Sequence, residues 1–357
     1  MAYTTIDDPS AYFQTKIYTG SDNGALTQVV TNDGNSDLQP DWIWIKRRNG
    51  SANHSITDTV RGLTIGLSTS TNAAEVDDDF GVTAVGSDGF SVRENTSAQG
   101  QVNTGTLVAW QWKAGTSFTN DASGTGIGSI DSAGSASDAS GFSIVSYTGT
   151  GSAGTIKHGL STAPKMIIQK NRDETQPWWV YFSTIGAGGQ LRLNGTNAEG
   201  SDGGVLWNST APTSSVFSVG DNTGANGSSD KCIAYCFSQK QGYSKFGSYT
   251  GNGNADGTFV YTGFKPAWIM IKRTDSANSW TIRDSKRSTF NLMQKSLFAD
   301  LTNAESDSSD YNFDFLSNGF KQRNANGIDN ASGGTYIYMA FAENPFVTST
   351  GIPTTAR

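Results

Sequence analysis

Apolar residues in this chain come in runs of about four to eight positions, separated by clusters of Gly, Ser, Thr, Asn and Asp, the spacing of short strands and turns. Three of these runs follow a proline and close on a lysine: Pro40-Asp41-Trp42-Ile43-Trp44-Ile45-Lys46, Pro164-Lys165-Met166-Ile167-Ile168-Gln169-Lys170 and Pro266-Ala267-Trp268-Ile269-Met270-Ile271-Lys272. Alternate side chains of a strand point to opposite faces, so Trp42 and Trp44 share one face and Ile43 and Ile45 the other. Both faces are apolar, which places such a strand in the middle of a two-layer structure.

The same features recur in the same order. Each pass opens on Tyr-Thr-Gly, at Tyr18-Thr19-Gly20, Tyr147-Thr148-Gly149 and Tyr249-Thr250-Gly251, where the glycine begins a turn. After the proline strand come Thr71-Asn72-Ala73-Ala74-Glu75, Thr196-Asn197-Ala198-Glu199 and Thr302-Asn303-Ala304-Glu305. Strands around Phe90, Phe217 and Phe320 come next, and each pass closes on an aromatic strand ending at Trp112, Phe237 or Phe341. A period of about a hundred residues predicts an all-β chain of three tandem β-sandwich, jelly-roll-like modules. Their boundaries fall at 14–114, 142–241 and 242–343, with an N-terminal arm 1–13, a Gly/Ser-rich linker 115–141 and a C-terminal tail 344–357. The linker is expected to set the first module apart, while the short join from Gln239 to Tyr243 keeps the other two close. The best helical pattern runs from Ser288 to Leu301, with apolar Phe290, Leu292, Met293, Leu297 and Leu301.

Charge narrows the function. The net charge of −7 argues against nucleic acid, whose phosphates call for a basic footprint. No basic start and no long apolar run opens the chain, which predicts neither a signal peptide nor membrane insertion. Cys232 and Cys236, the only two cysteines, would lie about 13 Å apart along one strand, too far to bridge. Buried thiols are expected there.

Several motifs could carry chemistry. Gly149-Thr150-Gly151-Ser152-Ala153-Gly154 spells a dinucleotide fingerprint, but the residues after it, Thr155 to Gly159, do not open the helix such a site needs, so it reads as a turn. Asp77-Asp78-Asp79 offers oxygens suited to Ca²⁺, yet lacks an alternating ligand pattern and reads as a solvated turn. His54 and His158 fall at different points of the repeat and are expected on the surface or in loops, not in a hydrolytic triad. Lys46, Lys170 and Lys272 recur in an acidic chain, either to grip an acidic glycan or, as favoured here, to pair with Glu75, Glu199 and Glu305. Of nine tryptophans, Trp42, Trp44, Trp110, Trp112 and Trp268 sit in core-like strands, whereas Trp178 and Trp179 beside Pro177 are the pair best suited to stack on a sugar. No catalytic residue, metal site or cofactor is assigned.

The opening Tyr3-Thr4-Thr5-Ile6-Asp7-Asp8-Pro9-Ser10-Ala11-Tyr12-Phe13-Gln14, the strand Gln39 to Lys46, the step Asp58-Thr59-Val60-Arg61-Gly62 and the ending Asn344-Pro345-Phe346-Val347-Thr348 resemble repeat proteins of tailed bacteriophages, especially those of marine bacteria. That resemblance spans nearly the whole chain and implies a virion structural protein, made in the host cytoplasm, with other virion proteins as partners. A tail fibre or tail appendage contacting a host-surface glycan is the leading expectation, as a homotrimer by analogy with fibres. A capsid decoration protein is the alternative, and a glycan-degrading tail enzyme, with two carboxyls about 5–10 Å apart, the third. The second copy departs from the pattern: it has Met166 in place of tryptophan and lacks the Asp-x-x-Arg step shared by Asp58/Arg61 and Asp284/Arg287. Whatever contact that step makes is expected to be missing there.

Overall fold

The computed structural model describes residues 2–21, 27–77, 81–93 and 100–354. Three large antiparallel sheets dominate it, and all three follow one strand order. In the first, Phe13–Thr19 lies beside Thr106–Trp112, then Trp42–Arg47, Ser55–Asp58, Gly62–Leu67 and Val76–Asp77. The third repeats this with Ser244–Thr250, Thr335–Pro345, Phe264–Arg273, Thr281–Asp284, Lys295–Phe298 and Ser306–Asp307. The second does so with Phe142–Thr148, Lys231–Phe237, Met166–Asn171, Trp179–Phe182, Gly189–Arg192 and Gly200–Ser201. Register matches as well: Trp42, Met166 and Trp268 stand opposite Trp112, Phe237 and Phe341 on one side. On the other side they face Asp58, Phe182 and Asp284.

Each large sheet carries a small one on its outer face, giving a two-layer sandwich. The proline strand explains the layering. Ile43 and Ile45 join Tyr18, Val30, Phe90 and Val92 in a core between the two layers. Trp42 and Trp44, on the opposite face, enter a core shared by all three large sheets. There Trp42 stacks on Tyr235 of the second sheet at 4.7 Å, Trp112 meets Trp268 of the third edge-on at 5.5 Å, and Phe237 lies 6.2 Å from Phe341. The apolar inner faces of three sandwiches therefore bury one another.

This geometry corrects three expectations. The first unit is not set apart, because its indoles are part of the shared core. Segment 115–141 is not a free linker: Thr116–Asn120 and Ser132–Ser137 add two strands beside Phe142–Thr148, bridged by a short turn of helix at Ala122–Thr125. Small residues suit that close edge pairing, and a Cβ on Gly134 would come within 2.0 Å of the Ile144 carbonyl oxygen. Nor is Ser288 to Leu301 helical. Lys295–Phe298 is a strand, Leu297 and Met293 are buried, and Phe290 is 80% exposed.

The described residues of the arm and tail pack on the molecule itself. Tyr3 donates to the Gly263 carbonyl at 2.6 Å and Thr4 to that of Gln241 at 2.9 Å, while Asp7 accepts the Ser349 backbone N–H at 2.6 Å.

Candidate functional site

The recurring polar residues meet at the seams between the large sheets. At the seam of the first and third, Arg48 donates two bonds to Glu305, at 2.9 and 2.8 Å, and the Glu305 backbone N–H donates to the Arg48 carbonyl at 2.8 Å. At the seam of the second and first, Arg172 holds Glu75 in the same way, at 2.7 and 2.9 Å, with the matching 2.8 Å backbone bond. Of this set the third seam keeps the backbone bond, from Glu199 to the Thr274 carbonyl at 2.8 Å, without the ion pair, because Thr274 stands where the other seams have arginine. The seams thus link the sheets head to tail in a closed ring. Two-point arginine–carboxylate contacts fix geometry as well as charge, which suits them to this bracing.

A second guanidinium reaches each of the two paired glutamates from its own sheet. Arg287 lies 3.0 Å from Glu305, and Arg61 lies 3.7 Å from Glu75. These arginines belong to the Asp-x-x-Arg step, where Asp58–Arg61 and Asp284–Arg287 form fully buried pairs at 2.5 Å. Each aspartate also accepts a bond across the seam, Asp58 from the Tyr235 hydroxyl at 2.7 Å and Asp284 from the Trp110 indole N–H at 3.0 Å. Burial pushes the Glu305 carboxyl up, but the bond to Arg48 and the charges of both arginines outweigh it and hold it below the usual range. The second sheet has Phe182 and Ile185 at the equivalent positions, so the contact expected to be missing there is indeed absent among the described residues.

The five residues singled out for ligand contact are all buried. Trp178 lies in the shared core and donates to the Ser68 carbonyl at 2.8 Å; Trp179 packs in the second sandwich with the Arg192 guanidinium 5.1 Å above its ring. Lys46, Lys170 and Lys272 do not pair with the glutamates. Their Nζ atoms donate to backbone carbonyls: Lys46 to Ala52 and Thr302, Lys170 to Asn171 and Glu174, Lys272 to Thr196 and Asn278. Burial pushes each amine down to about 8. At the first two seams the ion pair expected of the lysine is made by the arginine two residues further on, Arg48 or Arg172, whose side chain points across the seam.

The histidines are buried rather than exposed. His54 takes the Trp44 indole N–H at 2.7 Å on Nδ1 and bonds the Phe298 carbonyl at 2.9 Å through Nε2. It occupies the position held by Trp178 and by Trp280, whose indole donates to the Arg192 carbonyl at 2.9 Å. The cysteines are unbridged and buried. Asp77 accepts a bond from Thr64 at 3.0 Å, while Asp78 and Asp79 lie outside the described residues. Among the described residues no three potential metal ligands come together. The glycine motif at 149–154 leads into the strand Gly154–Lys157, as a turn would.

One set of residues escaped the sequence pattern. Asn103, Asn226 and Asn330, all fully buried, accept the backbone N–H just past the Tyr-Thr-Gly turn, at 2.9, 2.9 and 3.0 Å. The turn glycines approach so closely that a Cβ on Gly20 would meet the Asn103 carbonyl oxygen at 2.1 Å. A similar spacing from each Tyr-Thr-Gly was the only signal, blurred by loops of unequal length.

A cleft of about 510 Å³ opens between the first and third sheets and is lined by Gln14, Asp33, Lys265, Lys286 and Glu343 among others. Lysines hold its carboxylates: Asp33 lies 3.2 Å from Lys16 and 3.0 Å from Lys286, and Glu343 lies 2.6 Å from Lys265. Burial raises the Asp33 carboxyl, but the two lysines more than offset this and keep it low, the opposite of what a general acid needs.

A single family model runs across all three sheets, matching residues 8–345. The chain belongs to this family, DUF7483, a domain of unknown function. The DUF7483 match therefore takes in the whole ring, from the helical turn before the first strand to the end of the last. No curated protein matches the chain.

Proposed function

We propose that this protein is a non-catalytic structural component of a tailed-bacteriophage particle, built into a tail appendage that meets the host surface. The observation that carries this reading is how the recurring polar residues are used: lysines, arginines, aspartates and glutamates shared between the sheets brace one sheet against the next. A rigid body braced without disulfides suits a particle assembled in the cytoplasm and then exposed outside the cell. The resemblance of the chain's opening, proline strand and ending to phage repeat proteins supplies the viral context.

Capsid decoration is the second reading, and the closed ring favours it in one respect: three similarly built sheets on one chain suit a site surrounded by three similar neighbours. Deleting the gene and imaging the particles separates the two. Loss of adsorption with intact heads is the expected result, and normal adsorption with fragile heads overturns the tail reading in favour of decoration. A glycan-degrading role would show as depolymerisation of host polysaccharide by the purified protein, and none is expected.

A further inference from the structure

The third seam is built like the other two but has lost both of its guanidinium groups. Glu199 occupies the place of Glu75 and Glu305, as its backbone bond to Thr274 shows. Thr274 replaces the cross-seam arginine, and Ile185 replaces the arginine of the same sheet. Glu199, Thr274 and Ile185 line one cavity of about 450 Å³, together with Gly189, Asp275 and Thr335. Asp275 is already engaged by Arg273 at 2.8 Å, and Thr274 by the Thr335 hydroxyl at 2.8 Å. The Glu199 carboxylate has no hydrogen-bond or ion-pair partner among the described residues, and the partial desolvation of its place in the cavity raises its carboxyl pKa.

We infer that this cavity is a receptor for a guanidinium group, and that its occupant is an arginine side chain carried on another protein chain. The other two seams supply the template, since the same backbone frame holds a guanidinium in a two-point contact with its glutamate at both. Glu199 is exposed at the cavity mouth, so the group can enter from outside. A planar two-point contact selects arginine over lysine, whose ammonium makes only point contact.

The test is an NMR titration of the full-length chain with methylguanidinium and with two blocked tripeptides, Gly-Arg-Gly and Gly-Lys-Gly. Methylguanidinium and the arginine peptide are expected to shift amides around Gly189, Glu199 and Thr274, with the lysine peptide about tenfold weaker. Glu199→Gln should weaken the arginine peptide by about tenfold, and Thr274→Arg, which rebuilds the internal pair, should close the site. If Thr274→Arg fails to fold, Glu199→Gln decides alone. Equal binding of the two peptides, or undiminished binding by Glu199→Gln, overturns the inference. Binding of methylguanidinium without the arginine peptide also overturns it, by making the site one for small free guanidinium compounds.

Discussion

Arg172 and Glu75 lie 97 positions apart in the chain and meet in a two-point ion pair at 2.7 and 2.9 Å. Both side chains are largely buried, at 12% and 15% exposure, so the pair is shielded from salt and solvent as a surface pair is not. Arg172→Ala should lower unfolding stability by about 1–3 kcal/mol, measured by urea titration. A change below a few tenths would mean that the seam rests on apolar packing alone.

The Asp58–Arg61 pair is fully buried and also receives the Tyr235 hydroxyl. Removing Asp58 leaves the buried Arg61 with only Glu75, 3.7 Å away and already paired with Arg172, so Asp58→Leu should cost about 3–5 kcal/mol and Tyr235→Phe about 1 kcal/mol. Asp58→Leu combined with Arg61→Ile imitates the apolar pair Phe182 and Ile185 of the second sheet. The double variant is expected to regain much of the loss, because an apolar replacement of both charges avoids their desolvation cost. Calorimetry of the three variants checks this.

All three large sheets contribute to one core, so they should unfold together. A single calorimetric transition is expected, and a core substitution in any sheet, such as Trp268→Ala, should move that transition as a whole. Three separable transitions would contradict the shared core.

Both histidines are held neutral. Burial pushes His54 well below its ordinary range and His158 down to about 4, in each case against weaker opposing hydrogen bonds. As the pH falls through about 6.5, the unfolded chain takes up protons that the fold refuses, so stability is lost on acidification. The His158 share of that loss is confined between about 6.5 and about 4. Comparing wild type with His158→Gln by urea unfolding at pH 7.5 and 5.0 should show the smaller pH effect in the variant.

Every tryptophan is buried, Trp179 most exposed at 6%. Native emission should therefore be blue-shifted, and host-surface glycans should neither quench it nor shift it. Quenching by a sugar at concentrations that leave the fold intact would show that an indole becomes accessible.

Much of this architecture was legible along the chain. The alternation at Trp42 to Ile45 placed a strand between two apolar layers, and the Tyr-Thr-Gly, proline and Thr-Asn-Ala marks gave the repeated strand order. What pattern could not show was that the second apolar layer belongs to neighbouring sheets, because a face buried between sheets of one chain has the same composition as any core face. For the same reason Trp178 read as a stacking platform. The lysines were misassigned because a recurring cation near a recurring carboxylate looks like an ion pair, and only the seam geometry shows that the arginine crosses while the lysine turns to carbonyls. Segment 115–141 looks structureless in sequence because strands reading Thr-Ser-Phe-Thr-Asn and Ser-Ala-Gly-Ser-Ala-Ser carry almost no apolar alternation.

The shared core also sets an order of events during synthesis. The strands of the first sheet are complete once Trp112 has emerged, but Trp268 and Phe341, which cover Trp112, and Glu305, which receives Arg48, belong to the last third of the chain. Until the ribosome has delivered them, a patch of indole rings stays wet, and the nascent chain carries an adhesive surface that has to be shielded. A chain cut short before that point would be a client for chaperones rather than a smaller working version of the protein.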